Sequence, residues 1–383
     1  MKNSRRAFLQ HGAAAIAAFG FADVTNAAAE ARARLLVLLE LRGGNDGLNT
    51  VVPVEQGRYF DLRPRLALRD DALVAFDRSL TLHHELAPLR ALWDAREMAV
   101  IEGVGYPQPN LSHFRSIEIW DTASASNQVL QQGWLARAAA TAAFARFAAD
   151  GVVIGAADLG PLAGGARAIS LSDPQRFARQ ARLAKEGQVN ARGALAHVLQ
   201  VESDVVHAAL ELRPDVTWHI EFPRGGFGVA IQHAAAIAST RKVPVIRVTL
   251  AGFDTHQNQA NTHAQLLRQL GEGIVALRAA LQEVGMWENT LVLTYSEFGR
   301  RPRENASGGT DHGTAGAMFA FGPRINAGRL GAQPALARLD ENGNLPFGVD
   351  FRSVYATVLD NWFGLDAERI LGGRFNSIAL VKA

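Results

Sequence analysis

Five stretches of the chain are almost wholly apolar, and each stops at glycine, often with a carboxylate close by. The first is LLVLLELRGGND, beginning at Leu35. Arg96–Gly105 (REMAVIEGVG), Val243–His256 (VPVIRVTLAGFDTH), Asn289–Gly299 (NTLVLTYSEFG) and Gly316–Gly322 (GAMFAFG) repeat the shape. A continuous apolar run bounded by turn residues reads as a strand buried on both faces, which is the habit of parallel sheets. Helical patterns lie between the runs: ELAPLRALWDA before the second, then Gly193–Leu212 and Gly226–Thr240 before the third. Ala264–Gly285 separates the third from the fourth, with apolar residues at three- and four-residue spacing. Strands alternating with helices predict an α/β fold, a doubly wound, mostly parallel sheet with helices on both faces. Gly316–Gly322 is expected as its fifth strand. Ala138–Gly165, rich in alanine, is the least readable segment, expected to hold a helix and an irregular insertion.

The N-terminal residues read differently. Residues 1–29 combine a basic start, an Ala-rich centre and small residues near Ala27 and Ala29, the layout of an export signal. Ser4-Arg5-Arg6-Ala7-Phe8-Leu9-Gln10 resembles the twin-arginine signal, which implies the twin-arginine translocase as a partner and a periplasmic or extracellular destination. Residues 30–383 are then expected as one large α/β domain. The formal net charge of +2 falls wholly within the first 29 residues (Lys2, Arg5, Arg6, Asp23), so the remainder is neutral and has no general electrostatic claim on nucleic acid. No later apolar run is long enough to span a bilayer. The absence of cysteine excludes disulfides, thiolate metal sites and cysteine nucleophiles.

In open α/β sheets ligands bind beyond the carboxyl ends of the strands. Asp46 follows the first run, Ser112-His113 the second, Asp254 and His256 the third and Glu297 the fourth, while Asp311-His312 precede the fifth. Such residues from remote parts of the chain would meet at one edge. Carboxylates and imidazoles without thiolates suit a divalent metal, zinc first and manganese, calcium or magnesium after it. Two cations sharing Asp46, Asp254, His256, Glu297, Asp311 and His312 would polarise an ester oxygen and activate a nucleophile. Ser112 is the candidate nucleophile: Pro109 and Asn110 form a turn, and a helix starting there offers amides to an anion. It is grouped with His113, which competes as a ligand or packs as a histidine bonded to backbone. Arg115, Arg300, Arg301 and Arg303 are candidate clamps for phosphate or sulfate. Asn45, beside Asp46, is expected to touch substrate. Each residue also has a plainer reading: Asp46 as a turn residue, Ser112 as a helix cap and Glu297 as the partner of Arg300 or Arg301.

The blocks LRGGNDGLNTVVP, YFDLRPRLAL, VIEGVGYPQPNLSHFRSIEIWDTAS, AGFDTHQNQ, TYSEFGRRPRENASGGTDHGTAG and DFRSVYATVLDNWFG resemble the DUF1501 family of exported bacterial proteins, within the alkaline phosphatase and sulfatase-like superfamily. The resemblance implies an alkaline phosphatase-like fold with Asp46 as the first-strand acid, Ser112 at the nucleophile position, Asp254 with His256 as the middle metal motif and His312 as the late histidine. It departs from the superfamily pattern twice. Phe298 follows Glu297 where a phosphatase usually keeps histidine, and Asp254 and His256 are two apart where four is usual, with Asn258 at the expected place. A cysteine-derived formylglycine sulfatase is excluded. The expectation is an exported, metal-dependent hydrolase of phosphate or sulfate esters, acting on a small molecule or polymer. The alternative is a non-catalytic relative that binds at the cell envelope. An exported redox enzyme ranks last, because no dinucleotide fingerprint is present.

Overall fold

The computed structural model describes residues 34–171 and 215–382. The expected export signal and the helical pattern at Gly193–Leu212 lie outside them. The strands are β1 (Leu35–Arg42), β2 (Leu73–Ala75), β3 (Thr81–His83), β4 (Met98–Gly105), β5 (Gly151–Ile154), β6 (Ala168–Leu171) and β7 (Val245–Ala251). They continue with β8 (Thr290–Tyr295), β9 (Arg300–Glu304), β10 (Thr310–His312), β11 (Gly316–Phe321), β12 (Gly328–Gly331) and β13 (Val349–Asp350). Nine form one sheet in the order β12-β4-β11-β8-β1-β7-β5-β6, with β13 also paired to β4. The fold is α/β, with a mostly parallel sheet covered by helices on both faces.

β1 lies in the middle, parallel to β7 on one side and to β8 on the other. Its alternate side chains enter different cores: Leu35, Val37, Leu39 and Leu41 face one, Leu36 and Leu38 the other. That double burial is why the run shows no polar alternation, and each such side chain stabilises the fold by about 1.5–3 kcal/mol. The helices Gly226–Ser239 and Gln259–Glu283 cover the first face. The latter turns His263, Leu266, Leu267, Leu270, Ile274, Leu277 and Leu281 inward at helical spacing. On the second face, His113–Thr122 and Phe351–Thr357 bring in Trp120 and Tyr355.

Two expectations change. Gly316–Phe321 is a strand, but it runs antiparallel to both neighbours, β4 and β8. After β8 the chain folds into the antiparallel hairpin β9–β10 and re-enters the sheet without a crossover, so its direction reverses. Ala138–Gly165 contributes a parallel strand, β5, between β7 and β6, besides the end of the helix Trp134–Ala139. The carboxyl ends of β1, β4, β7 and β8 share one edge, and the antiparallel β11 starts there. Every expected donor is therefore delivered to the same side.

His263 is an inward residue of the long helix, only 1% exposed, and its Nε2–H donates to Asn45 Oδ1 at 2.9 Å. Burial pushes its pKa down to about 4, against the pull of Asp46 and with the help of His83 and Arg63. The unfolded chain binds that proton near pH 6.5. Stability linked to this group is therefore complete above that pH and is lost as the pH falls toward 4. Denaturant titrations from pH 7 to 4 should show His263→Gln removing on the order of 3 kcal/mol of this decline.

Candidate metal centre

The loop after β1 is built to receive the loop after β8. Gly43 has φ +120°, and a Cβ there would collide with the backbone of Phe253 and Asp254. Its N–H donates to both oxygens of Glu297, at 2.9 and 3.1 Å, and Gly44 N–H adds a bond at 3.3 Å. Glu297 is 2% exposed and accepts a fourth bond, from His113 Nδ1 at 2.7 Å. The acid after β8 thus orients an imidazole rather than entering the metal group. His113 opens the helix after β4, and Phe298 packs against its ring and that of His312.

Three histidines are held in the same way. His312 Nδ1 bonds the Leu111 carbonyl at 2.7 Å, and His256 Nδ1 lies 3.4 Å from Asp311 Oδ1. Because these partners are acceptors, each Nδ1 carries the proton and each Nε2 is left with a lone pair. All three Nε2 atoms converge on Asp254. They lie 3.4 Å (His113), 3.1 Å (His256) and 3.2 Å (His312) from its oxygens, and the Nε2 atoms of His256 and His312 are 3.0 Å apart. Lone pairs facing a carboxylate at these distances repel unless a proton or a cation lies between them. One ligand atom each from His113, Asp254 and His312 falls within 4.8 Å of the others, and His113 Nε2 is buried with no hydrogen-bond partner.

These donors fit a divalent cation. Nitrogen and oxygen ligands with second-sphere acceptors on the far ring nitrogens are the usual surroundings of zinc. Burial opposes ionisation of Asp254, but the Arg300 guanidinium bonded to its Oδ1 and the adjacent His312 ring outweigh it and hold its pKa down to about 2. The bond to Glu297, followed by the charges of Glu297 and Asp254, raises the pKa of His113 despite burial, so protons compete with a cation for that nitrogen.

Other expected residues are used elsewhere. Both oxygens of Asp46 face Arg63, at 2.6 and 3.0 Å, within a pair whose side chains are fully buried. Leu48 N–H and Gln259 Nε2 also bond it. An ion pair replaces the expected ligation, and Asp46 caps the short helix Gly47–Thr50. Asn45 is 2% exposed and serves His263, so its carbonyl is turned away from any substrate. Arg300 is no surface clamp, since its buried guanidinium bonds the carbonyls of Gly43, Gly44, Phe253 and Thr310 and reaches Asp254 Oδ1 at 2.7 Å. Arg301 lies half-buried beside it, and its carbonyl accepts from Arg63 at 3.0 Å. Arg115 pins the Ser126 and Gln128 carbonyls and pairs with Glu118 at 2.7 Å. Asp311 touches only His256 of the group. Ser112 is exposed at the N-cap of the helix His113–Thr122, and its hydroxyl caps no amide. Sequence reasoning missed Arg63 and Gln259. Both lie in blocks that carry the family resemblance, YFDLRPRLAL and AGFDTHQNQ, but nothing in the sequence pairs Arg63 with an acid 17 residues earlier.

Residues 97–373 match the family model described as "Protein of unknown function (DUF1501)". The chain belongs to the DUF1501 family. No curated protein matches the sequence of this DUF1501 member. Among solved structures it is similar to Ps i-CgsB, with 11% identity, 90% of this chain and 75% of that chain covered, and a TM-score of 0.41. Lipoteichoic acid synthase LtaP from Listeria monocytogenes aligns at 10% identity over 90% and 75% of the two chains, with a TM-score of 0.41. Phosphonate monoester hydrolase SpPMH from Silicibacter pomeroyi aligns at 11% identity over 89% and 76%, with a TM-score of 0.40. Identities this low transfer no activity to the DUF1501 chain.

The two acids of the DUF1501 site should separate by experiment. Asp46→Asn leaves the buried Arg63 charge uncompensated and should cost about 3–5 kcal/mol of stability, read by denaturant unfolding. Asp254→Asn removes the charge facing Arg300 but leaves that guanidinium its backbone carbonyls and an amide oxygen at a half-exposed position, so it should abolish zinc binding in calorimetry at a smaller cost in stability than Asp46→Asn. Equal loss of zinc binding in both variants, at equal stability, would return Asp46 to the ligand set.

Proposed function

We propose that this protein is an exported, metal-dependent hydrolase of phosphate or sulfate esters, built around one divalent cation, zinc in preference to manganese, calcium or magnesium. The convergence of three imidazole Nε2 atoms on Asp254 carries this reading. His113, Asp254 and His312 would hold the cation, with His256 beside them. Three or four protein donors leave room for a substrate oxygen, as catalytic zinc sites do. Once bound, the cation supplies Lewis acidity toward a phosphoryl or sulfuryl oxygen.

The chain's own groups supply the rest. Ser112 lies between Leu111, whose carbonyl orients His312, and His113, and its hydroxyl is exposed. Its Oγ would bond to the phosphorus or sulfur as the ester oxygen leaves with the alcohol, and water would then cleave the serine ester. The first amides of the helix His113–Thr122 favour the anionic group held there. Export through the twin-arginine translocase, to the periplasm or beyond, rests on Ser4–Gln10. Among the described residues no helix is long and apolar enough to cross a membrane. A second reading, a non-catalytic binding protein of the envelope, draws on Phe298 in the place of a histidine and on the commitment of Asp46 to Arg63.

Elemental analysis and an aryl-ester screen of the purified protein test this. The expected result is about one equivalent of metal and turnover of an aryl phosphate or sulfate, lost on chelation. Ser112→Ala should lower kcat by on the order of a thousandfold with metal retained. Metal without turnover would favour the binding protein, and neither metal nor turnover would sink the hydrolase.

A further inference from the structure

The helix that presents His113 has a second working face. Phe114, Glu118 and Asp121 follow one another at helical spacing, about 100° around the axis from His113. With Val129 and Leu130 on the next loop and Asp158 opposite, they line a cleft of about 540 Å³. Its rim is apolar to an unusual degree: Phe114 is 90% exposed, Val129 67% and Leu130 37%. Among the described residues its lining includes three acids and no basic side chain.

Two of those acids are already satisfied. Glu118 pairs with Arg115 at 2.7 Å, and Asp158 pairs with Arg247 at 2.8 Å and Arg42 at 2.9 Å. Arg247 is also bonded to Glu40 and to the Tyr295 hydroxyl. Asp121 is different. It is 9% exposed, and its Oδ1 is buried with no hydrogen-bond partner among the described residues. A buried carboxyl oxygen without a donor destabilises the folded chain, and a ligand that supplies the donor offsets that cost. Burial holds this carboxyl near 8, with Arg247 opposing and Glu40 and Asp158 reinforcing, so in the empty cleft it keeps its proton.

We propose that this cleft binds a primary ammonium group carried on an apolar stem, with the head on Asp121 and the stem against Phe114 and Val129–Leu130. An ammonium brings three donors to the one acid of the lining that has none, and Asp121 gives up its proton to solvent as the charged head binds. The exposed Phe114 ring adds a face on which a cation or an apolar stem can rest. A carboxylate head brings no donor to Asp121 and no charge that could replace its proton. The inference does not rest on the hydrolase reading, because the cleft uses none of the residues grouped around Asp254.

Three probes sharing one stem separate the alternatives: phenethylammonium, phenethyl alcohol and phenylacetate. Each is titrated into the purified protein near neutral pH at fixed ionic strength and followed by ligand-observed NMR, with and without EDTA. Phenethylammonium should saturate at millimolar concentration, bind about tenfold tighter than the other two, and be indifferent to EDTA. Asp121→Asn should erase the preference for the ammonium. Phe114→Ala, at a ring exposed enough that folding is not at issue, should weaken binding severalfold. Equal binding of the three probes, no saturable binding, or a preference that survives both substitutions would overturn the proposal.

Discussion

The Arg300 guanidinium holds the carboxyl edge together. It stands just after β8, is fully buried, and donates to carbonyls from the β1 loop (Gly43, Gly44), the β7 loop (Phe253) and the β10 strand (Thr310). Apart from Phe253, which is buried in the core, these loops present mostly polar residues and glycine, so backbone hydrogen bonds carry much of their mutual fixing. A planar cation with five N–H groups joins four carbonyls from three backbone segments at once, a geometry that lysine cannot copy. Its charge is compensated by Asp254 at 2.7 Å. The carboxylate on which the histidines converge is therefore also the counter-ion of the structural staple. Folding the edge and forming the site are one event.

This coupling explains why Asp46 and Asp254 diverge although both are acids in glycine-bounded turns after parallel strands. Two buried guanidinia sit behind the edge, and each takes one acid. Arg63 chelates Asp46 through both oxygens and leaves it no free lone pair toward the cleft. Arg300 reaches one oxygen of Asp254, while the carboxylate stays half-exposed and faces three imidazoles. A bidentate buried pair is a structural device, and a monodentate pair at the surface leaves an acceptor for chemistry.

The fold was legible where burial was one-dimensional. β1, β4, β7 and β8 are apolar throughout because both faces are covered, and the helix Gln259–Glu283 shows a plain stripe. The direction of β11 was not legible, since an antiparallel strand buried on both faces has the same composition as a parallel one. The hairpin β9–β10 was hidden because RRPRE and TDH turn charged residues to solvent and to the metal group, with no apolar alternation. In the site, the convergence of Asp254, His256 and His312 at one edge follows from strand ends. The identity of what each acid binds depends on Arg63 and Arg300, whose depth no local pattern records.

His113 shows how the two levels meet. Its neighbours in sequence, Ser112 and Phe114, both face solvent, so nothing local marks it as a ligand. Its ring is set instead by Glu297, 184 residues away, held rigid by two glycine amides and placed against Nδ1. With that nitrogen committed, Nε2 has nowhere to point but the Asp254 carboxylate, and Phe298 closes the ring in from the side. The acid that a phosphatase-like pattern assigns to a metal bonds the His113 ring here, and the aromatic residue that follows it packs against that ring. The geometry suits the single cation proposed above: each histidine that reaches Asp254 has its own acceptor behind it, while Asp46 and Glu297 are bonded elsewhere.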